Sequence, residues 1–205
     1  MPRRARLFVP GCLHHVMARG LDGMDIFADD SDRRVFCNLL GRYIGQSGTK
    51  CYGWSLLKNH YHLVLRTSDQ PLAILMKPLN ARYAMYFNKR HKRRGYLFQD
   101  RFKSIATQEQ RYIQELIRYV HLNPIRAGIC NDLKELDRYT WCGHSALMGT
   151  QACAFQDIWP VLRRFGKSAQ TARIAYSEYL AQGLSRKTEE DLFPYGSPKA
   201  ASEGP

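Results

Sequence analysis

An α+β fold, a ferredoxin-like (RRM-like) split βαβ sandwich, is what this sequence predicts, and three observations carry the prediction. Strand-like and helix-like stretches follow one another in the order β-α-β-β-α-β-α, which suits an antiparallel sheet with the first two helices on one face. The run "NHYHLVLRT", residues 59–67, alternates as a strand does, with His60, His62 and Val64 on one face and Tyr61, Leu63 and Leu65 on the other. The chain has 205 residues, of which 44% are hydrophobic and 12% aromatic, enough to build a core for one domain with an appendage.

Taken in order, "RLFVPGCLHHVMARG" alternates as a first strand over 6–19. "DDSDRRVFCNLLGRYIGQSG" reads as a helix capped by Asp30 or Ser31, with its apolar positions at 35, 36, 39, 40, 43 and 44 and glycine closing it. "KCYGWSLLKNHYHLVLRT" is a pair of strands folded at Lys58 and Asn59. "PLAILMKPLNARYAMYFNKRHKRRG" is helical in period, and Pro78 is expected to kink or divide it. "YLFQDRFKSIAT" supplies a fourth strand, and "QEQRYIQELIRYVHLN" a helix stopped by Pro124. In this topology the third strand is central, its histidines lie on the face the first two helices leave open, and the last helix must approach that face. The texture changes near residue 150. Residues 1–150 are therefore expected to form the main domain, 151–190 a small extension of two short helices, and 191–205, small and polar, a disordered tail.

Charge narrows the function class. Lys and Arg outnumber Asp and Glu by 31 to 18, a net charge of +13, which points to a polyanion partner, most often nucleic acid. The excess is concentrated. Arg82, Lys89, Arg90, Lys92, Arg93, Arg94, Arg101 and Lys103 stand against Asp100 alone, interleaved with Tyr83, Tyr86, Phe87, Tyr96, Phe98 and Phe102. Basic groups of this kind track a phosphate backbone, while those rings not needed for the core can stack on unpaired bases. No apolar run is long enough to span a bilayer and no signal-peptide segment follows the basic start, so a cytoplasmic, nucleoid-associated chain with no membrane partner is expected. The six cysteines form no Cys-x-x-Cys pair, which argues against a structural zinc site and a disulfide framework.

Chemistry-bearing residues collect at two places. His60 and His62 are either a hairpin's solvated histidines or two imidazoles held side by side for a metal. On the last helix, Ile113, Leu116, Ile117 and Val120 make the buried stripe, and Tyr119 and Asn123 lie within roughly 40° of each other along one edge of it. Tyr119 alone reads as an aromatic flanking the core. Together with two imidazoles and an amide oxygen, it reads as a nucleophile for a phosphodiester whose charge is neutralised by Mg²⁺ or Mn²⁺. Tyr112, seven residues earlier, shares the edge, but it lies roughly 16 Å along the axis from Asn123, whereas Tyr119 is one turn away.

These residues resemble a known family. "NHYHLVL" is similar to the His-hydrophobic-His motif of HUH endonucleases, and "RYVHLNPIRAG" to the tyrosine helix of single-tyrosine transposases, in particular the REP-associated tyrosine transposases. "HHVMARG", "GYLFQDRFKSI" and "YTWCGHSALMG" match as well, so the resemblance runs from about residue 6 to 149 and weakly through 157–182. It implies that His60, His62 and Asn123 are the metal ligands and Tyr119 the catalytic nucleophile, and that residues 1–150 are a single-tyrosine HUH domain. Related insertion-sequence enzymes often carry Gln where Asn123 stands. The implied activity is metal-dependent cleavage and rejoining of single-stranded DNA at hairpin-forming palindromic repeats, through a 5′-phosphotyrosine and without external energy. The implied partner is single-stranded or hairpin DNA, and the chain works as a monomer or a homodimer, with the monomer preferred. A non-catalytic binder of hairpin DNA or RNA on the same scaffold is the alternative. Retention of all four site residues favours the enzyme.

Overall fold

The computed structural model describes residues 9–107 and 112–184. Four strands, β1 (Leu13–Arg19), β2 (Lys50–Leu56), β3 (His60–Arg66) and β4 (Lys103–Thr107), form one antiparallel sheet in the order β2-β3-β1-β4. This is the expected α+β architecture, with β3 and β1 central. Val16, Ala18, Trp54, Leu56, Tyr61, Leu63 and Leu65 face α1 (Asp30–Ser47) and α2 (Ala73–Arg90) in one core. Leu13, Tyr52 and Val64 face a second core built by α3 (Tyr112–Arg126), α4 (Leu133–Arg138), α5 (His144–Met148), α6 (Trp159–Leu162) and α7 (Ala169–Leu184). The segment beyond residue 150 thus packs through α6 and α7 into the core that covers the histidine face.

Several boundaries differ from the sequence reading, each for a physical reason. Asp29 caps α1, its carboxylate accepting from the backbone N–H groups of Ser31 and Asp32, and Gly48 closes the helix in a left-handed conformation at φ 65°. Pro78 does not divide α2. It lies in the second turn, where one backbone hydrogen bond is forfeited, while Leu75 and Leu79 on either side are fully buried. Nor does Pro124 stop α3, which continues to Arg126. Leu122 and Pro124 are buried, and the Pro124 carbonyl accepts from the N–H groups of Ile129 and Cys130, so the helix end is tied down beyond the proline. β1 begins at Leu13, with residues 6–8 of the expected strand outside the described residues. β4 is limited to 103–107; the preceding segment pairs its backbone only at an isolated bridge between Phe98 and Gly20. Residues 108–111 of the expected last helix also lie outside the described residues.

The approach of α3 to the sheet depends on one glycine. Gly53 sits beside a register irregularity in β2, opposite Val64, and a Cβ there would lie 2.6 Å from Ile117 Cδ1 and 3.0 Å from His121 Nε2. Both neighbours are fully buried, so making room for a Cβ displaces packed core atoms. Gly53→Ala is therefore expected to destabilise the fold by about 1–3 kcal/mol through overpacking, read from the denaturant midpoint. Unaltered stability would mean that α3 rides higher above β2 than this contact requires.

Candidate functional site

Side chains of β1, β3 and β4 that share the face under α3 build the site. Across the sheet Met17 pairs with both His62 and Lys103, and Arg19 pairs with His60. His15, two residues before Met17, shares that face because side-chain direction has period two. Tyr119 and Asn123 reach over the same rows from the edge of α3. Met17, Ala18, Arg19, His60, His62, Gln99, Asp100, Arg101, Lys103, Tyr119 and Asn123 line one cavity of about 210 Å³. A larger cavity, about 720 Å³ between α1 and residues 140–157, contains none of the residues singled out from the sequence, so size does not choose the site.

The histidine face is covered rather than open. His62 is 4% exposed and His15 2% exposed, while His60 is half-buried at the rim. Burial disfavours the charged imidazole, pushing His15 down to about 4 and His60 down to about 4, the latter helped by the positive charge of Arg19. His62 is held well below the ordinary histidine range by burial and by its neighbours His15 and His60. All three are neutral at neutral pH and carry one nitrogen lone pair each. His60 Nδ1 lies 2.6 Å from Asn59 Oδ1, and the Asn59 amide is oriented by its own Nδ2 donating to the Gly23 carbonyl at 3.1 Å. An amide oxygen only accepts, so His60 Nδ1 carries the proton and Nε2 keeps the lone pair. Asn123 Nδ2 donates to the Tyr119 carbonyl at 2.7 Å, which commits its amide nitrogen and leaves Oδ1 as the acceptor. The Tyr119 ring stands edge-on to His62 and His15 at centroid distances of 5.7 and 5.5 Å, with the Arg126 guanidinium over it at 5.5 Å. Among the described residues no three His, Cys, Asp or Glu side chains form a metal cage, and the Asn123 amide lines the cavity beside His60 and His62.

Residues 9–123, more than half of the chain, match the family model for IS200-like transposases. The chain belongs to the IS200-like transposase family. A transposase-like role in DNA processing follows from that membership. A solved structure of a REP-associated tyrosine transposase bound to a REP hairpin is similar in fold, with a TM-score of 0.60 at 11% identity over 82% of this chain and 98% of that one. A Deinococcus radiodurans R1 protein described as a transposase gives 0.40 at 15% identity, over 58% and 95% of the two chains. Saccharomyces cerevisiae tRNA(His) guanylyltransferase gives 0.43 at 8%, over 92% and 86%. No curated protein matches the sequence.

Within this chain, His60, His62, Tyr119 and Asn123 come together in the same cavity, and Tyr112 does not line it. Tyr112 is 41% exposed at the first residue of α3. Asn123 lies inside α3 rather than at its end. Of the expected cations, Arg101 and Lys103 line the cavity. Arg82 and Lys89 are exposed on α2, in the helix layer on the other side of the sheet, and Lys92 and Arg94 are exposed beyond its end. Arg90 is taken by Asp29 and Asp32, bracing α2 against the start of α1, and Arg93 donates to Asn88 and lies over the Phe87 ring. Tyr83, Phe87 and Phe102 are core, whereas Tyr96 is 83% exposed. No helix among the described residues is long and apolar enough to cross a membrane. Sequence reasoning missed His15, Arg19, Asn59 and Arg126. His15 and Arg19 share the parity of "HHVMARG", which could have placed them beside His60 and His62. Asn59 and Arg126 were within the quoted motifs but unassigned.

The neutral imidazoles make stability depend on pH. Between the ordinary value of 6.5 and about 4, the unfolded chain binds a proton at His15 that the folded chain refuses, and His62 behaves alike, so stability falls as pH drops through this window. The slope is about 1.4 kcal/mol per pH unit for each such imidazole. Asp29, held far below its usual 3.8 by Arg90, loses its contribution only at lower pH and leaves the window to the histidines. Urea midpoints measured across the window are expected to decline steadily. A flat profile would show that these rings protonate freely inside the fold.

Proposed function

We propose that this chain is a metal-assisted single-strand DNA transferase of the REP-associated tyrosine transposase kind, acting at hairpin-forming palindromic repeats. One observation carries the reading: a phenol, two neutral imidazoles and an amide oxygen line the same cavity as three cations, Arg19, Arg101 and Lys103. His60 and His62 through Nε2, and Asn123 through Oδ1, would hold Mg²⁺ or Mn²⁺, a donor set acceptable to either when phosphate and water fill the remaining positions. A divalent ion there supplies neutralisation of the phosphate and stabilisation of the leaving oxygen.

The chain's own residues supply the rest. Lys103 on β4 and Arg101 just before it bring positive charge to the cavity for the strand entering it. Tyr119 is the nucleophile: its oxygen forms a bond to phosphorus, the bond from phosphorus to the 3′ oxygen breaks, and the phenol's proton is lost as the freed 3′ hydroxyl gains one. The product is a 5′-phosphotyrosine and a 3′ hydroxyl, so the energy of the phosphodiester is kept in the protein–DNA bond. A 3′ hydroxyl attacking that bond reverses the step and rejoins a strand. Arg126 over the ring places positive charge beside the reacting phenol. The geometry favours Tyr119 over Tyr112 because only Tyr119 shares the cavity with Asn123 and the histidines.

A hairpin-bearing oligonucleotide incubated with the protein and Mn²⁺ is expected to give a covalent adduct. Tyr119→Phe should abolish it and Tyr112→Phe should not; His60→Ala or His62→Ala should abolish it while leaving hairpin binding largely intact, since affinity rests on phosphate contacts. Binding without any adduct in the unaltered chain would leave a hairpin-binding protein. An adduct mapped to the peptide containing Tyr112 would overturn the assignment. In a separate titration, Arg101→Gln with Lys103→Gln should reduce the salt dependence of single-strand binding by a slope of about 0.7 per lost contact. An unchanged slope would place the strand elsewhere.

A further inference from the structure

His15 stands in "HHVMARG", outside the histidine and tyrosine motifs, yet it is placed directly against His62. Its Nε2 lies 2.9 Å from His62 Nδ1, a hydrogen-bond distance between two ring nitrogens. The rings are 21° from coplanar with centroids 5.1 Å apart, the separation of two imidazoles joined nitrogen to nitrogen end to end rather than layered face on face. The pair is diagonal across β1 and β3, since His15 opposes Val64 and His62 opposes Met17. It is buried on both sides, so neither ring reorients without disturbing the core.

We propose that His15 is a positioning residue that fixes the tautomer of His62: it accepts the His62 Nδ1 proton on its own Nε2 and so keeps the lone pair on His62 Nε2, the atom that would be left to hold a metal. This rests on the reading of His62 as a ligand. A neutral imidazole has one donor and one acceptor, so two arrangements are open to the pair. If His15 donated instead, His62 would carry its proton on Nε2 and have no lone pair for a cation. The accepting arrangement repeats on β3 what is already fixed at His60, where the oriented oxygen of Asn59 can only accept. Both histidines of the motif would then have their Nδ1 protons held from outside the cavity and their Nε2 atoms left as ligands, His60 by its chain neighbour and His62 by a strand 47 residues away in sequence. Partners of this kind set ring orientation and ligand basicity, and their loss commonly costs 10–100-fold in metal affinity.

Nitrogen-15 NMR of the imidazoles in the metal-free full chain tests the assignment without reference to activity. His62 is expected as the Nδ1–H form in the unaltered protein, and that form should be lost or mixed in His15→Phe, which keeps a ring but no acceptor. His15→Gln, which returns an oxygen near the position of Nε2, should restore it. Mn²⁺ affinity read by electron paramagnetic resonance should fall about 10–100-fold in His15→Phe and recover most of the way in His15→Gln. His62 found as the Nε2–H form in the unaltered chain overturns the proposal, whatever the variants do. So does an Nδ1–H form indifferent to His15→Phe in a chain that still unfolds cooperatively. If the tautomer responds as expected but Mn²⁺ binds none of the three proteins, the role of His15 stands and the metal reading of the site fails.

Discussion

The close seating of α3 on β2 and β3 is the constraint on which the rest of the molecule depends. Gly53 leaves out a side chain that would hold the helix away, so Ile117 and His121 settle directly above it, and Ile117 and Val120 share a core with Val64. Each fully buried aliphatic side chain contributes about 1.5–3 kcal/mol relative to exposure, so the stripe of four on α3 outweighs the backbone hydrogen bond lost at Pro124. Once the stripe is seated, helical geometry leaves no freedom for Tyr119 and Asn123, which lie on its edge and must overhang the histidine rows. The site is a by-product of how a core stripe meets a glycine.

What holds α3 from above is polar as well as apolar. Tyr176 on α7 is fully buried and hydrogen-bonded at 2.6 Å to His121 Nδ1, and its hydroxyl also lies 3.5 Å from His144 Nδ1, whose Nε2 pairs with Asp137 at 2.7 Å. This chain of groups ties α7, α3, α5 and α4 together with a specificity that oily packing alone does not give. On the next turns, Arg118 lies buried over the Tyr179 ring at 4.3 Å, and Gly183 gives its stem the room to do so. The helices past residue 150 therefore act on the site at one remove, by clamping the back of the helix that carries Tyr119.

What was legible in the sequence was whatever repeats with a period. Alternation in "NHYHLVLRT" is enough to separate His60 and His62 from Tyr61, Leu63 and Leu65, and the spacing of Ile113, Leu116, Ile117 and Val120 is enough to put Tyr119 and Asn123 on one edge. Both placements hold because strand and helix periodicities are set by backbone geometry alone. The illegible parts are those decided by partners distant in the chain. Pro78 and Pro124 read as breaks because local propensity opposes proline in a helix, whereas buried neighbours on both sides outweigh a single lost hydrogen bond. Arg90 read as a free cation because its partners, Asp29 and Asp32, lie some sixty residues earlier. His15 went unassigned for the same reason: its parity on β1 was plain, but the register that sets it diagonal to His62 is a property of the assembled sheet.

The unbroken passage of α3 through Pro124 matters to the chemistry as well as to the helix count. Residues seven apart on a helix return to within about 20° of one another, so Arg126 stands over the edge that Tyr119 occupies only if the helix continues past the proline. Had the chain turned out at Asn123, the amide would have remained near the phenol, but the guanidinium would have left with the loop. Instead Pro124 removes one donor from the helix while its fixed backbone and buried ring stiffen the turn that carries Arg126, and its carbonyl gathers the N–H groups of Ile129 and Cys130. Three side chains with different chemistry, a phenol, an amide and a guanidinium, are thereby held along one edge of a single rigid element. The opposite wall is a sheet whose strands are equally fixed. The proposed in-line attack on phosphorus would need positioning of this order, and here both walls are regular secondary structure.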